Sequence, residues 1–190
     1  MGGLDMGNKI LYQMDYEKAI EAMVWLANKN PGIDIYHVSK ILYYAEKTHL
    51  NRYGRPVLGA TYIKMPYGQM PSEIRDIIAH NTLMVEPDYL ESFFSAVEVN
   101  KEHYYELTPR READTNHFSG TDIECLEESL NKYKDKPFWE LKKISHAEKS
   151  YRETSELQDE IDYLLMVDDE NENKDEVIED IQSTSQYVRF

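Results

Sequence analysis

The chain has 190 residues, 41% of them hydrophobic and 15 of them tyrosine, enough for one folded body plus an appendage and too much for wholesale disorder. Its 36 acidic against 21 basic residues give a net charge of -15, which repels phosphate backbones, argues against nonspecific binding to nucleic acid or anionic membrane, and favours a basic or neutral protein partner. The acidity is concentrated: residues 152–190 hold 13 acids and 3 bases, whereas residues 1–151 hold 23 and 18. A lone cysteine, Cys125, rules out an intramolecular disulfide and a thiolate zinc site.

The start, MGGLDMGNK, has neither the basic-then-apolar order of a secretion signal nor the Ser or Thr of a myristoylation signal at position 6. No window reaches the roughly 18 unbroken apolar residues of a membrane span. These features together predict a cytoplasmic protein.

Residues 15–29 place Ala19, Ile20, Met23, Val24 and Ala27 on one helical face, with Asp15 as N-cap and Asn30, Pro31 and Gly32 as the stop. A second helix over residues 35–51 presents Val38, Ile41, Leu42, Ala45 and Leu50, and Gly54 with Pro56 closes it. The two helices are expected to pack together. ATYIKM at 60–65 reads as a strand, and Pro66, Gly68 and Pro71 shape the turn into a helix carrying Ile74, Ile77 and Ile78.

A short helix follows Pro87, and the alternating segments SAVEV and HYYEL, separated by Asn100, Lys101 and Glu102, predict a hairpin. Ser119 to Asp122 open a helix in capping-box fashion, with Ile123, Leu126 and Leu130 on its buried stripe and Cys125 beside it. In PFWELKKISH at 137–146, Phe138, Trp139, Leu141 and Ile144 are expected to seal the body near Tyr151. Beyond it, SELQDEIDYLLMV permits an amphipathic helix, DDENENKDE reads as a solvated linker, and Val177, Ile178, Ile181, Tyr187, Val188 and Phe190 form a short apolar segment. The expected architecture is mainly α with a small antiparallel β element, as a compact body over residues 1–151 and an acidic extension over 152–190.

One stretch carries a resemblance. Tyr44, Ala45, His49 and Leu50, then Tyr53, Gly54, Arg55 and Pro56, then Tyr62, Tyr67, Gly68, Met70 and Pro71 follow one another as in the Panacea domain, also called the SocA-like or GepA-like antitoxin domain. A second block, Phe118 to Tyr151, including Ser145, His146, Ala147 and Glu148, is similar to the C-terminal half of that family. Gln69 departs from the family, which usually has Pro after the Tyr-Gly pair, and the acidic tail lies outside the resemblance.

The resemblance covers about residues 15–151 and implies a mostly helical antitoxin of bacterial or phage origin whose partner is a cognate toxin protein. In different systems the same domain is paired with unrelated toxins. Alternatives are an adaptor that delivers the toxin to a protease, with the tail as handle, and an acidic mimic of nucleic acid. Neither oligomeric state nor the identity of the toxin follows from the sequence.

Chemistry has no anchor in this sequence. The six histidines lack the spacing of a metal site, no cofactor is expected, and no phosphate loop, nucleophile elbow or paired carboxylate motif accompanies them, so no catalytic residue is assigned. Glu46 and His49, three apart on a helix, could meet as acid and base, but the plainer reading is a link within the helix. His146 is read as bonding a helix end.

His49, Arg52, Tyr53, Arg55, Tyr62, Met65, Tyr67 and Met70 are the candidates for partner contact, because aromatic, Arg and Met side chains dominate interface centres. The plainer alternative for this segment is a core with structural turns. Gly54, Pro56, Gly68 and Pro71 are read as shaping the chain.

Overall fold

The computed structural model describes residues 9–185, so Tyr187, Val188 and Phe190 lie outside the described residues. It shows a mainly α-helical protein with two small antiparallel sheets. Helix α1 (Tyr16–Lys29) starts where the Asp15 side chain accepts from the Lys18 amide. Helix α2 (Ile35–Tyr53) starts on Asp34, which accepts from the His37 amide, and ends on Gly54 at φ +69, a left-handed conformation that glycine adopts without a Cβ penalty. Val38, Ile41, Leu42, Ala45 and Leu50 are all buried on the inner face of α2.

Strand β1 (Tyr62–Met65) pairs with β2 (Gly68–Pro71) in a tight hairpin, and β2 runs directly into α3 (Ser72–Ile78) with Pro71 at the N-cap position. The second strand was not evident from the sequence, where Gly68 and Pro71 read as turn residues. GQMP lacks β-branched residues, and pairing with β1 supplies what propensity does not.

Helix α4 (Pro87–Ala96) leads into β3 (Val97–Asn100), which pairs with β4 (Glu106–Pro109). The connecting loop is longer than the sequence implies. Tyr104 and Tyr105 both have positive φ and lie in the loop, so β4 begins at Glu106. Helix α1 makes its main contacts with α4 and β4 rather than with α2.

Helix α5 (Gly120–Tyr133) begins with the predicted capping box: the Ser119 hydroxyl accepts from the Asp122 amide and the Asp122 carboxylate accepts from the Ser119 amide. It packs along α2, and Cys125 is fully buried, which pushes its thiol up to about 11. Helices α6 (Phe138–Ala147) and α7 (Lys149–Glu153) follow.

The segment after α7 departs from its expected helix. Lys64 N–H donates to the Asp159 carbonyl, Gln158 N–H donates to the Lys64 carbonyl, and Ile161 N–H donates to the Tyr62 carbonyl, so residues 158–161 lie along β1 as a third, bridge-like strand. A 3-10 turn over Tyr163–Met166 follows. Leu157 faces solvent while Ile161, Tyr163, Met166 and Val167 are buried, and the backbone acceptors of β1 outcompete the helix.

The polar run ends earlier than expected, in helix α8 (Lys174–Thr184), which sets Val177 and Ile181 into the core against α2. The described part of the acidic extension therefore contributes apolar side chains to the same hydrophobic cluster as residues 12–141. Among the described residues no helix is long and apolar enough to cross a membrane.

Glu46, on α2, is fully buried and does not meet His49. Its Oε2 accepts from the amides of Val57 at 2.6 Å and Leu58 at 3.1 Å, and its Oε1 from Gly59 at 3.0 Å and Ala60 at 3.4 Å. Burial pushes this carboxyl up to about 7, against the pull of those amides and the Lys18 charge. An orphaned buried donor costs about 1–3 kcal/mol. Glu46→Ala should therefore lower unfolding free energy by about 4 kcal/mol or more, and Glu46→Gln, which keeps one acceptor oxygen, by about half as much. Urea denaturation at pH 7.5 checks the order; equal, small losses for both variants would show that the loop does not depend on this side chain.

Candidate functional site

The residues singled out from the sequence divide into two groups in space. His49 and Tyr62 are fully buried. The His49 ring is bonded at Nδ1 to the Arg55 carbonyl at 2.8 Å and at Nε2 to the Thr121 hydroxyl at 2.9 Å, and burial lowers its pKa. Arg55 reaches Asp122 at 3.1 Å and donates to the Ser119 hydroxyl at 3.0 Å.

Burial drives the Asp122 carboxyl up, but the 2.9 Å contact with Lys18, the Ser119 amide and the Arg55 charge outweigh it and hold it below its ordinary value. Lys18, His49, Arg55 and Asp122 thus join α1, α2 and α5 at one point. Arg52 pairs with Glu128 at 2.7 Å, and Tyr53, half exposed, lies with its ring 4.7 Å from that of His49. Met65 and Met70 are partly buried, and the Met70 sulfur accepts from Ser39.

Tyr67 is different: it is 55% exposed at the tip of the β1–β2 hairpin. Two contacts fix that tip. Tyr36, in the first turn of α2, donates its hydroxyl to the Tyr67 carbonyl at 3.0 Å, and His146 Nε2 donates to the Pro66 carbonyl at 3.0 Å. The tip packs on α6, where the Phe138 ring lies 4.6 Å from Tyr36 and 5.3 Å from Tyr67.

The start of α6 is itself anchored. The His37 ring meets Asp34 at 2.7 Å and the Lys136 carbonyl at 2.9 Å, and the hydrogen bond to Asp34 raises its pKa.

Phe138 and Trp139 do not seal the body as expected: they are 46% and 66% exposed, and Leu141 takes the buried position. Adjacent residues on a helix point about 100° apart, so two neighbouring aromatics cannot both face the core with Leu141. Trp139, Lys142, Lys143 and His146 recur at spacings of three and four, which places them along one outer stripe of α6. This spacing was the available signal for a surface role. Lys142 sits 5.2 Å from the Tyr67 ring centre, and neither it nor Lys143 has a carboxylate partner among the described residues.

Beneath this face the hairpin closes over a buried polar cluster. Lys40 is 1% exposed and donates to the Gln69 carbonyl at 2.6 Å, and its ammonium lies 5.0 Å from the Tyr36 ring centre. The Gln69 amide donates to the Ser145 carbonyl and the Ser150 hydroxyl, a role a proline there could not perform. Gly68, at φ +112, has no room for a side chain: a Cβ would stand 2.6 Å from that of Ser145 and 2.7 Å from the Lys40 ammonium. His146, stacked on Tyr151 at 4.2 Å, is lowered by burial and further by the charges of Lys142, Lys40 and Lys64. Four basic groups therefore share this side of a strongly acidic molecule.

Among the described residues no group of three or more His, Cys, Asp or Glu side chains is placed to hold a metal ion. The family model described as "Antitoxin SocA-like, Panacea domain" matches residues 38–152, which span α2 through α7 and so contain the hairpin, the buried cluster and the aromatic face. No curated protein and no solved structure matches the chain.

Burial without a counter-charge pulls Lys40 down to about 7 from 10.5. Between those values the unfolded chain holds a proton that the folded chain has released, so this group adds stability as pH rises. Relative to Lys40→Met, the native chain should gain up to about 1.4 kcal/mol per pH unit between about pH 7 and pH 9. Unfolding curves across that window measure the difference; a gap that does not change with pH would mean that Lys40 keeps its proton in the fold.

Proposed function

Because the chain belongs to the SocA-like Panacea antitoxin family, we propose that it is the antitoxin of a toxin–antitoxin pair and neutralises its cognate toxin by direct contact, without catalysis. The observation that carries this reading is the solvent-facing aromatic cluster of Tyr67, Phe138 and Trp139 inside the family-matched region. Aromatic side chains offer large contact area at low cost in rotamer freedom, and they anchor protein interfaces for that reason. Here they stand on a helix and a pinned turn, so little ordering remains for binding to do.

The other readings have less support. A free tail serving as protease handle fits poorly with Ile161, Tyr163, Met166, Val167, Val177 and Ile181, which are buried. An acidic mimic of nucleic acid gains nothing from Asp168 and Asp169, which are engaged by Lys47 and by Lys149 and Lys174.

Expression of the neighbouring gene alone should arrest growth, and this chain should restore it. The double variant Tyr67→Ala, Trp139→Ala should weaken the complex at least about tenfold, the loss of roughly 1.4 kcal/mol that one modest anchor supplies, with an unchanged melting temperature. A neighbouring product that is harmless on its own would end the antitoxin reading; a fully neutralising double variant would move the contact to another surface.

A further inference from the structure

The bulk charge of the molecule points to a basic partner, but the aromatic face has the opposite local character. Ion pairs occupy most cations elsewhere, among them Lys18, Lys47, Arg52, Arg55, Arg111 and Lys149. On the outer stripe of α6, Lys142 and Lys143 stand beside Trp139 with no carboxylate partner among the described residues. Behind the aromatic layer, Lys40 has a carbonyl as its hydrogen-bond acceptor and burial favours its neutral form, so the positive charge of the face rests on Lys142, Lys143 and Lys64. Lys64, which donates to the Thr154 carbonyl, extends the positive side toward Tyr151. The nearest acid on α6, Glu140, is engaged by Lys136.

We propose that the face formed by Tyr67, Phe138, Trp139, Lys142 and Lys143 receives an extended, carboxylate-rich segment of a partner protein. From Trp139 to His146 the stripe runs seven residues of helix, about 10 Å at 1.5 Å per residue. An extended strand covers that distance in about three residues and its side chains alternate between faces, so an acid would meet the two lysines while an apolar side chain two positions along, on the same face, packs on Trp139. Because like-charge repulsion from the rest of the molecule acts against any acidic ligand, recognition depends on this local concentration of cations. The choice of a protein over other polyanions rests on the antitoxin reading; the sign of the face does not.

Trp139 reports on the face directly, since Trp25 is 5% exposed and Trp139 is 66% exposed. In the full chain at low salt, with each quencher scaled to its effect on free tryptophan amide, iodide should quench tryptophan fluorescence at least about twofold more efficiently than caesium, despite the net charge of -15. The variant Lys142→Glu, Lys143→Glu should invert that order. A fluorescein-labelled octapeptide of two Glu-Glu-Leu-Leu repeats, which gives each strand face both kinds of side chain, should bind more tightly than its Lys-Lys-Leu-Leu counterpart, and about tenfold more weakly to the same variant.

Caesium quenching equal to or above that of iodide in the native chain would overturn the proposal, as would preference for the Lys-and-Leu peptide. Tighter binding of a single-stranded RNA octamer than of the acidic peptide would assign the face to a different ligand. None of these measurements uses the toxin, so their outcome is separate from that of the neutralisation assay.

Discussion

A single carboxylate organises the centre of this protein. Glu46 sits mid-helix on α2, with no exposed surface, and four consecutive residues, Val57 to Ala60, turn their amides toward its two oxygens. Four buried donors pointing into one small region need an acceptor, and water has no access there. A carboxylate, with two oxygens and about four acceptor directions, satisfies all of them at once. Gly59, at φ +73, supplies the backbone reversal that lets successive amides converge.

The downstream elements depend on this convergence. The loop delivers Tyr62 into the core and sets β1, and the Ala60 carbonyl accepts from the Tyr163 hydroxyl at 2.6 Å, which ties the segment after α7 to the same point. Residues 158–161 then complete the exposed edge of β1. The second polar centre, Asp122 with Lys18, Arg55 and His49, ties α5 to α1 and α2 about one helical turn along α2 from Glu46. Helix α2 thus carries one buried carboxyl group and meets another, each satisfied chiefly by a different device: backbone amides for Glu46, cations for Asp122.

Helices with local start signals were legible in the sequence. Asp15 and the Ser119–Asp122 box each satisfy their own helix terminus, so the information lies within four residues; Asp34 does the same for α2, a cap that the apolar spacing alone did not mark. Features set by distant partners were hidden. GQMP pairs as a strand because β1 is beside it, and SELQDEIDYLLMV abandons its helical spacing because the free edge of β1 binds it. Glu46 and His49 show the same limit: a spacing of three promised a mutual contact, but both side chains found better partners from other elements. Of the proposed contact residues, Tyr67 projects into solvent, whereas Tyr62 and His49 lie in the interior, and composition alone could not separate them. The Phe138–Trp139 pair was legible only through its periodicity with Lys142 and Lys143, which the apolar count obscured.

The division between interior and face bears on how such a domain could serve different partners. Gly68, Gln69, Ser145 and Lys40 are locked together: a side chain at Gly68 would strike two of them, and Gln69 bridges to Ser145 and Ser150. The tip above them is held through the carbonyls of Pro66 and Tyr67, not through the Tyr67 side chain. A residue whose backbone is fixed while its side chain is exposed can change identity with little effect on the fold. Tyr67 meets that condition, and so do Trp139 and Lys143 on the regular frame of α6. Partner preference could therefore be rewritten at these positions while Glu46 and Asp122 keep the scaffold constant. Exchanges at the face are bounded instead by the buried layer beneath it, where Lys40 donates to the Gln69 carbonyl and lies against the Tyr36 ring, leaving no room for a larger group to sink inward.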